Sequence, residues 1–195
     1  MQKVLVSCAI LICLMAGTAT GRCLFGSTVS TEVQYQQHPD APIHAISFRT
    51  SQTVTGAIEF PSLNALQVEQ NEFNLYVVDV AIDFGDTLID IHFLNTEPST
   101  FAPGHFNGYA FIFDAQQPVD ISAARLHPDA KLAGLADSDL TFAGNILFLN
   151  VANHSFDRTS RIQIDITTCG GLDLSDMDAE SDATLLYRLI RIEIL

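Results

Sequence analysis

The sequence predicts an all-β protein, an antiparallel β-sandwich or jelly roll. Apolar and polar residues alternate along most of the chain, which is the period of a half-buried strand and not the 3.6-residue period of an amphipathic helix. Gly, Pro, Asn and Asp cluster between the alternating segments, where the chain must reverse. The composition, 48% hydrophobic and 16% charged over 195 residues, suits one sizeable core and is too apolar for a disordered chain. Roughly ten short strands at this spacing fit two packed antiparallel sheets better than a parallel α/β sheet.

Taken in order, strands are expected at residues 43–48 and 53–60, with room for one short helix at 62–70. Residues 75–84 place Tyr76, Val78, Val80, Ile82 and Phe84 on one face and Asp79 and Asp83 on the other. One face is then core and the other polar. Phe84-Gly85-Asp86 reads as a turn, so that strand makes a hairpin with 87–95, in which Ile89, Ile91 and Phe93 alternate with Asp90 and His92. Further strands are expected at 109–113, 119–126, 140–142 and 146–151. In 161–168, Ile162, Ile164 and Ile166 alternate with Arg161, Gln163 and Asp165. In 185–194, Arg188 shares the parity of Ile190, Ile192 and Ile194, which favours an edge strand. Such an edge would also suit self-association.

Residues 1–21 have the zones of an export signal: Lys3, an apolar run over 4–15, and small residues over 16–21. The apolar run is shorter than the ~20 residues of a membrane span. The expected organisation is a signal peptide over 1–21 and one sandwich domain over 22–195, without a transmembrane segment in the mature chain. Secretion, the periplasm or the cell surface is the expected location. Cys8 and Cys13 fall in the leader, leaving Cys23 and Cys169 as the mature pair, which an oxidising compartment would join. That disulfide would close nearly the whole mature chain into one loop, a constraint of roughly 5 kcal/mol in the chain-entropy account.

The chain has 23 acidic and 9 basic residues, a formal charge of −14. Nucleic-acid binding is disfavoured, because phosphate contacts need clustered Lys and Arg, and so is an anionic membrane surface. Lys131 is the only lysine after the leader.

Three stretches carry a family resemblance: Tyr109-Ala110-Phe111-Ile112-Phe113-Asp114, the run from Asp139 to Asn150, and Ile162-Gln163-Ile164-Asp165-Ile166. Together they resemble exported bacterial β-sandwich proteins, some of which carry cell-surface sorting tails. The resemblance implies a surface or extracellular location and supplies no active site. The Pro-Glu-Pro stretch, membrane span and basic residues of a sorting tail are missing from the sequence, so sorting by that route is not carried over.

The densest acidic segment holds Asp173, Asp176, Asp178, Glu180 and Asp182, after Cys169-Gly170-Gly171. Acids on alternate residues of a loop can converge on calcium, which wants six to eight oxygens. An EF-hand is excluded, because the central glycine is missing and Tyr187 stands at the twelfth position. A solvated acidic loop and a calcium site both fit, and the solvated loop is favoured. Asp90 and His92 share one strand face, with Asp79 and Asp83 expected beside them. A carboxylate orienting an imidazole is the beginning of general-base machinery or of a metal site. An ordinary polar sheet face explains the same pattern, and no nucleophile motif accompanies it. His105 lies in a loop and could add a ligand. His38-Pro39-Asp40 and His127-Pro128-Asp129 read as turns. Asn153-His154-Ser155 is a glycosylation sequon that matters in a eukaryotic secretory route.

These features point to a non-catalytic surface or secreted module for adhesion, matrix assembly or ligand binding, with a glycan or surface protein as partner. The alternative is a carbohydrate-active jelly roll, lectin-like or hydrolytic. The absence of Trp and the four Tyr weigh against it, since sugar faces are commonly held by stacked aromatics.

Overall fold

The computed structural model describes residues 24–68, 71–114 and 121–168. Among these are twelve strands and two single 3-10 turns, and every ladder is antiparallel. The expected β-sandwich is the fold. The leader, Cys23, Cys169, the acidic segment from Asp173 to Asp182 and the strand expected at 185–194 lie outside the described residues.

The larger sheet is built on a strand that the alternation analysis passed over. β1 (Thr28–Gln36) pairs along its whole length with β7 (Phe106–Asp114). Val29, Val33 and Tyr35 join the core, while Ser30 and Glu32 on the other parity are buried against the segment 49–51, Ser30 on the Ser51 hydroxyl and Glu32 on the Arg49 guanidinium. Five of its nine residues are Ser, Thr or Gln, so the polar members mask a pattern that β-branched Thr and Val can sustain. On the far side of β1 run β2 (His44–Ala45) and β3 (Thr50–Thr53). These two continue one course along β1: their registers differ by two extra residues, a bulge that takes in Ser47. The Ser47 hydroxyl accepts the Val33 backbone N–H at 2.8 Å, satisfying a donor that the interrupted ladder would orphan. The strand expected at 53–60 is mostly loop, with only Phe60 returning to bridge Ile82. On the other side of β7 come β10 (Ile146–Asn150) and β9 (Leu140–Ala143).

The second sheet has the order β4 (Ala81–Phe84), β5 (Leu88–His92), β12 (Arg161–Thr168), β8 (Ile121–Leu126). The expected hairpin is present, with Phe84 opposite Ile89 and the Gly85 N–H donating to the Leu88 carbonyl at 2.8 Å. The strand expected from residue 75 begins only at Ala81. A bond from the Val80 N–H to the Val78 carbonyl, 2.9 Å, closes a three-residue turn. That turn shifts the parity, so Val77 is buried and Tyr76 is 74% exposed. Where the sequence left room for a short helix at 62–70, the described residues hold a single 3-10 turn, Asn64–Leu66. A small third sheet pairs β6 (Ser99–Thr100) with β11 (Ser155–Phe156). Both His-Pro-Asp tripeptides are turns, closed by bonds of 2.9 Å from Ala41 to His38 and from Ala130 to His127.

The core lies between the two large sheets. Phe84 of the second sheet meets Phe111 and Phe113 of the first edge-on, with centroids 5.6 and 6.2 Å apart, an arrangement that aligns ring edges with ring faces. The Ile rows of β5 and β12 complete that side. One corner of the sandwich is tied where the Ile121 N–H, opening β8, donates to the Gly144 carbonyl between β9 and β10. Among the described residues no helix is long and apolar enough to cross a membrane.

Gly108 fixes how closely β7 and β10 approach. A Cβ there would stand 1.9 Å from the Leu149 carbonyl oxygen, so the backbone itself must move. Gly108→Ala is expected to cost about 3 kcal/mol or more, lowering Tm by roughly 6–12 °C. Gly85→Ala, whose nearest contact would be an ordinary 3.5 Å, is expected to stay within ~1 kcal/mol. Thermal unfolding of the two variants beside the parent checks both.

Candidate functional site

Two adjacent ladder rows on the outward face of the second sheet bring together Asp83, Asp90, His92 and Arg161, while Asp165 and Arg125 pair with each other in a separate row. In one row Asp83, Asp90 and Gln163 stand side by side on β4, β5 and β12; in the next stand Ala81, His92 and Arg161. Gln163 stands directly opposite Asp90, a spacing of about 4.5–5.5 Å, and Arg161 is its diagonal neighbour at roughly 7–8 Å, within reach of a long side chain.

Asp90 is only 8% exposed. Arg161 grips it with two donors, Nε to Oδ1 at 2.8 Å and Nη2 to Oδ2. Gln163 Nε2 donates to Oδ2 at 3.2 Å, and His92 Nε2 lies 3.3 Å from Oδ1. Burial by itself would raise the Asp90 carboxyl. The Arg161 hydrogen bonds, the His92 and Arg161 charges and the Gln163 donor outweigh it and hold the group below the ordinary carboxyl value. The same hydrogen bond raises the Arg161 guanidinium against the effect of burial.

Asp83 is shifted the other way. Burial, the charge and proximity of Glu59, and the charge of Asp90 raise it, with His92 opposing. Glu59 is held by the backbone: Oε2 accepts the Phe84 N–H at 2.8 Å and Oε1 the Thr55 N–H at 2.7 Å. It pins the loop before Phe60 to the edge of β4.

The structure therefore brings together Asp83, Asp90 and His92 as expected. Asp79 is elsewhere, accepting a hydrogen bond from the Ser62 hydroxyl at 2.6 Å. Arg161, Gln163 and Glu59 complete the cluster, and sequence reasoning missed their part in it. The alternation had put Arg161 and Gln163 on one polar face, but no local signal says which strand β12 pairs with. Chemically, Asp90 has both oxygens occupied by fixed donors and is poorly placed to take a proton from a substrate. Among the described residues no group of three or more His, Cys, Asp or Glu side chains is placed to hold a metal.

The end of the sandwich away from the β4–β5 hairpin carries two concavities. His105 lines a shallow groove of about 520 Å³ together with His38, Tyr35 and Asn153. Next to it is a cavity of about 230 Å³, whose walls include Val33, Ile46, Tyr76, Asn107, Tyr109 and Phe156. Among the described residues no charged side chain lines it. The segment 101–104 contributes to both, with Phe101 and Ala102 on the cavity and Pro103 and Gly104 on the groove. The expected calcium ligands Asp173, Asp176, Asp178, Glu180 and Asp182, and the Cys23–Cys169 pair, fall outside the described residues. The chain matches no family model, no curated protein and no solved structure.

Opposite shifts on adjacent carboxylates give a two-part acid response. The raised Asp83 is destabilising while ionised, so its penalty is present at neutral pH and relieved as pH falls through a value above 3.8. The lowered Asp90 contributes stability that is present above 3.8 and lost as pH falls below it. Asp83→Asn is therefore expected to stabilise the protein at pH 7 by up to about 1 kcal/mol, discounted for partial solvation. That advantage should vanish on acidification toward pH ~4. Denaturant titrations of both proteins across this range check it.

Proposed function

We propose that the chain is an exported, non-catalytic β-sandwich module that works by binding, at or beyond the cell surface, in adhesion, matrix assembly or capture of a ligand. Asp90 carries the reading. It belongs to the described strand-face group that combines a carboxylate with an imidazole, and its oxygens are engaged by Arg161, Gln163 and His92. A general base needs a lone pair directed at substrate, whereas this carboxylate is a structural anchor between strands. The resemblance to exported bacterial β-sandwich proteins and the leader-like residues 1–21 support the location. The cavity at the end away from the β4–β5 hairpin, whose described lining holds no charged side chain, supports binding as the mode of action, since concave sites with few polar groups are the usual form of ligand pockets.

The purified chain is expected to give no turnover above buffer with chromogenic glycosides, esters and phosphates. Hydrolysis that disappears in a folded Asp90→Asn variant would overturn the non-catalytic reading.

A further inference from the structure

The end cavity is specific enough in its chemistry to indicate a ligand class. Tyr109 is 2% and Asn107 8% exposed, so both belong to its deep part, while Tyr76 stands at the solvent side. The Asn107 Nδ2 donates to the Ala102 carbonyl at 2.9 Å, which fixes the amide and leaves its Oδ1 as an acceptor. Among the described residues no side-chain hydrogen bond engages that oxygen or the Tyr109 hydroxyl, and neither belongs with the fully buried unpartnered atoms, Thr31 Oγ1 and Gln163 Oε1, so both atoms touch solvent. Burial also pushes Tyr109 above the ordinary phenol range, so the hydroxyl keeps its proton and remains a donor. Around these polar atoms stand flat apolar walls, with Phe101 and Phe156 packed at a centroid distance of 4.6 Å.

We propose that this cavity binds one neutral, hydroxylated ring of monosaccharide size, with Tyr109 and Asn107 meeting its hydroxyls and the aromatic side chains covering its C–H faces. This inference rests on the reading of the chain as a binding module and deepens it. Size sets the first limit: about 230 Å³ equals the liquid share of roughly eight waters, enough for one small ring and too little for two. Charge sets the second. With no charged residue in the described lining, a charged ligand would lose its hydration without gaining a counter-ion there. Hydrogen bonding sets the third. A purely apolar ligand would leave the Tyr109 hydroxyl and the Asn107 carbonyl oxygen dry and unpaired, which is penalised, whereas a ring hydroxyl can both give and accept. Asn74 and Ser99 add polar groups on the lining, and Tyr76 supplies an aromatic face beside the opening. The missing tryptophan is thus offset by phenylalanine and tyrosine drawn from four separate chain segments.

The test is a titration of the full oxidised chain with D-glucose, D-galactose and N-acetyl-D-glucosamine, with toluene as the apolar comparator, read by backbone amide chemical shifts. At least one sugar is expected to bind with a Kd on the order of 0.1–10 mM. It should move the amides of residues 99–102 and 107–109 and leave Gln163 on the opposite sheet face unmoved. Tyr109→Phe removes one oxygen and should weaken the sugar about tenfold without weakening toluene, and Ser99→Ala gives a second, surface-tolerant probe of the same wall. If all three sugars are silent up to about 100 mM while toluene moves the cavity amides, the sugar assignment is overturned and the binding module stands. Silence from sugars and toluene alike overturns the cavity as a binding site. Conversion of a bound sugar into product would overturn the non-catalytic reading instead.

Discussion

A buried carboxylate on a sheet face sets the terms for half of this molecule. Asp90 stands 8% exposed on the outward side of β5, and an unpaired charge at that depth would be strongly unfavourable. The ladder answers by register. β12 must present Gln163 opposite Asp90 and Arg161 one row away, and it does so while Ile162 and Ile164 fall opposite Ile91 and Ile89 on the core side. A slip of one residue would turn the isoleucines outward and the arginine inward. Polar and apolar faces thus select the same alignment, and the ion pair adds a directional requirement that apolar packing lacks. Asp83 is the cost of crowding acids there: its raised carboxyl is held at the edge by the hairpin that also positions Phe84.

The two ends of the sandwich differ for packing reasons. At the hairpin end, Phe84 fills the gap between sheets against Phe111 and Phe113, and the Leu24 N–H is tied to the Asp86 carbonyl at 3.2 Å. At the other end the walls are loops and the two-residue strands β6 and β11, and the aromatic triad Phe93, Phe101 and Phe156 closes only part of the space. Gly104 lets that wall pass close to β1, since a Cβ would stand 2.8 Å from the Tyr35 ring. Short, polar-capped segments cannot cover the ends of long neighbours, and a cavity with mixed lining is the result. The proposed binding function rests on this asymmetry and not on the charged face.

Sequence reading reached the all-β class, the 84–86 hairpin turn, the alternation of β5 and β12 and both His-Pro-Asp turns because each is encoded within about ten residues. It missed β1, whose Ser, Thr and Gln content conceals its alternation, although Val29, Val33 and Tyr35 share a parity that could have revealed it. It also overextended the strand before Ala81, because the turn at Val78–Val80 leaves no Gly or Pro signature. At the charged face, Asp83, Asp90 and His92 were legible from hairpin geometry. Arg161 was not, since it lies 71 residues from Asp90 and non-local pairing has no local signal. The end cavity was illegible for the same reason: its lining comes from chain segments that only the sheet order brings together.

The claim that the charged face is a structural clasp is tested most directly by a double-mutant cycle in chemical unfolding, using Asp90→Asn, Arg161→Met and the pair combined. The account predicts a coupling of about 1.5–3 kcal/mol, the range for hydrogen bonds to a charged group. A coupling below ~0.5 kcal/mol, typical of exposed ion pairs, would contradict it and return Asp90 to the set of residues available for chemistry.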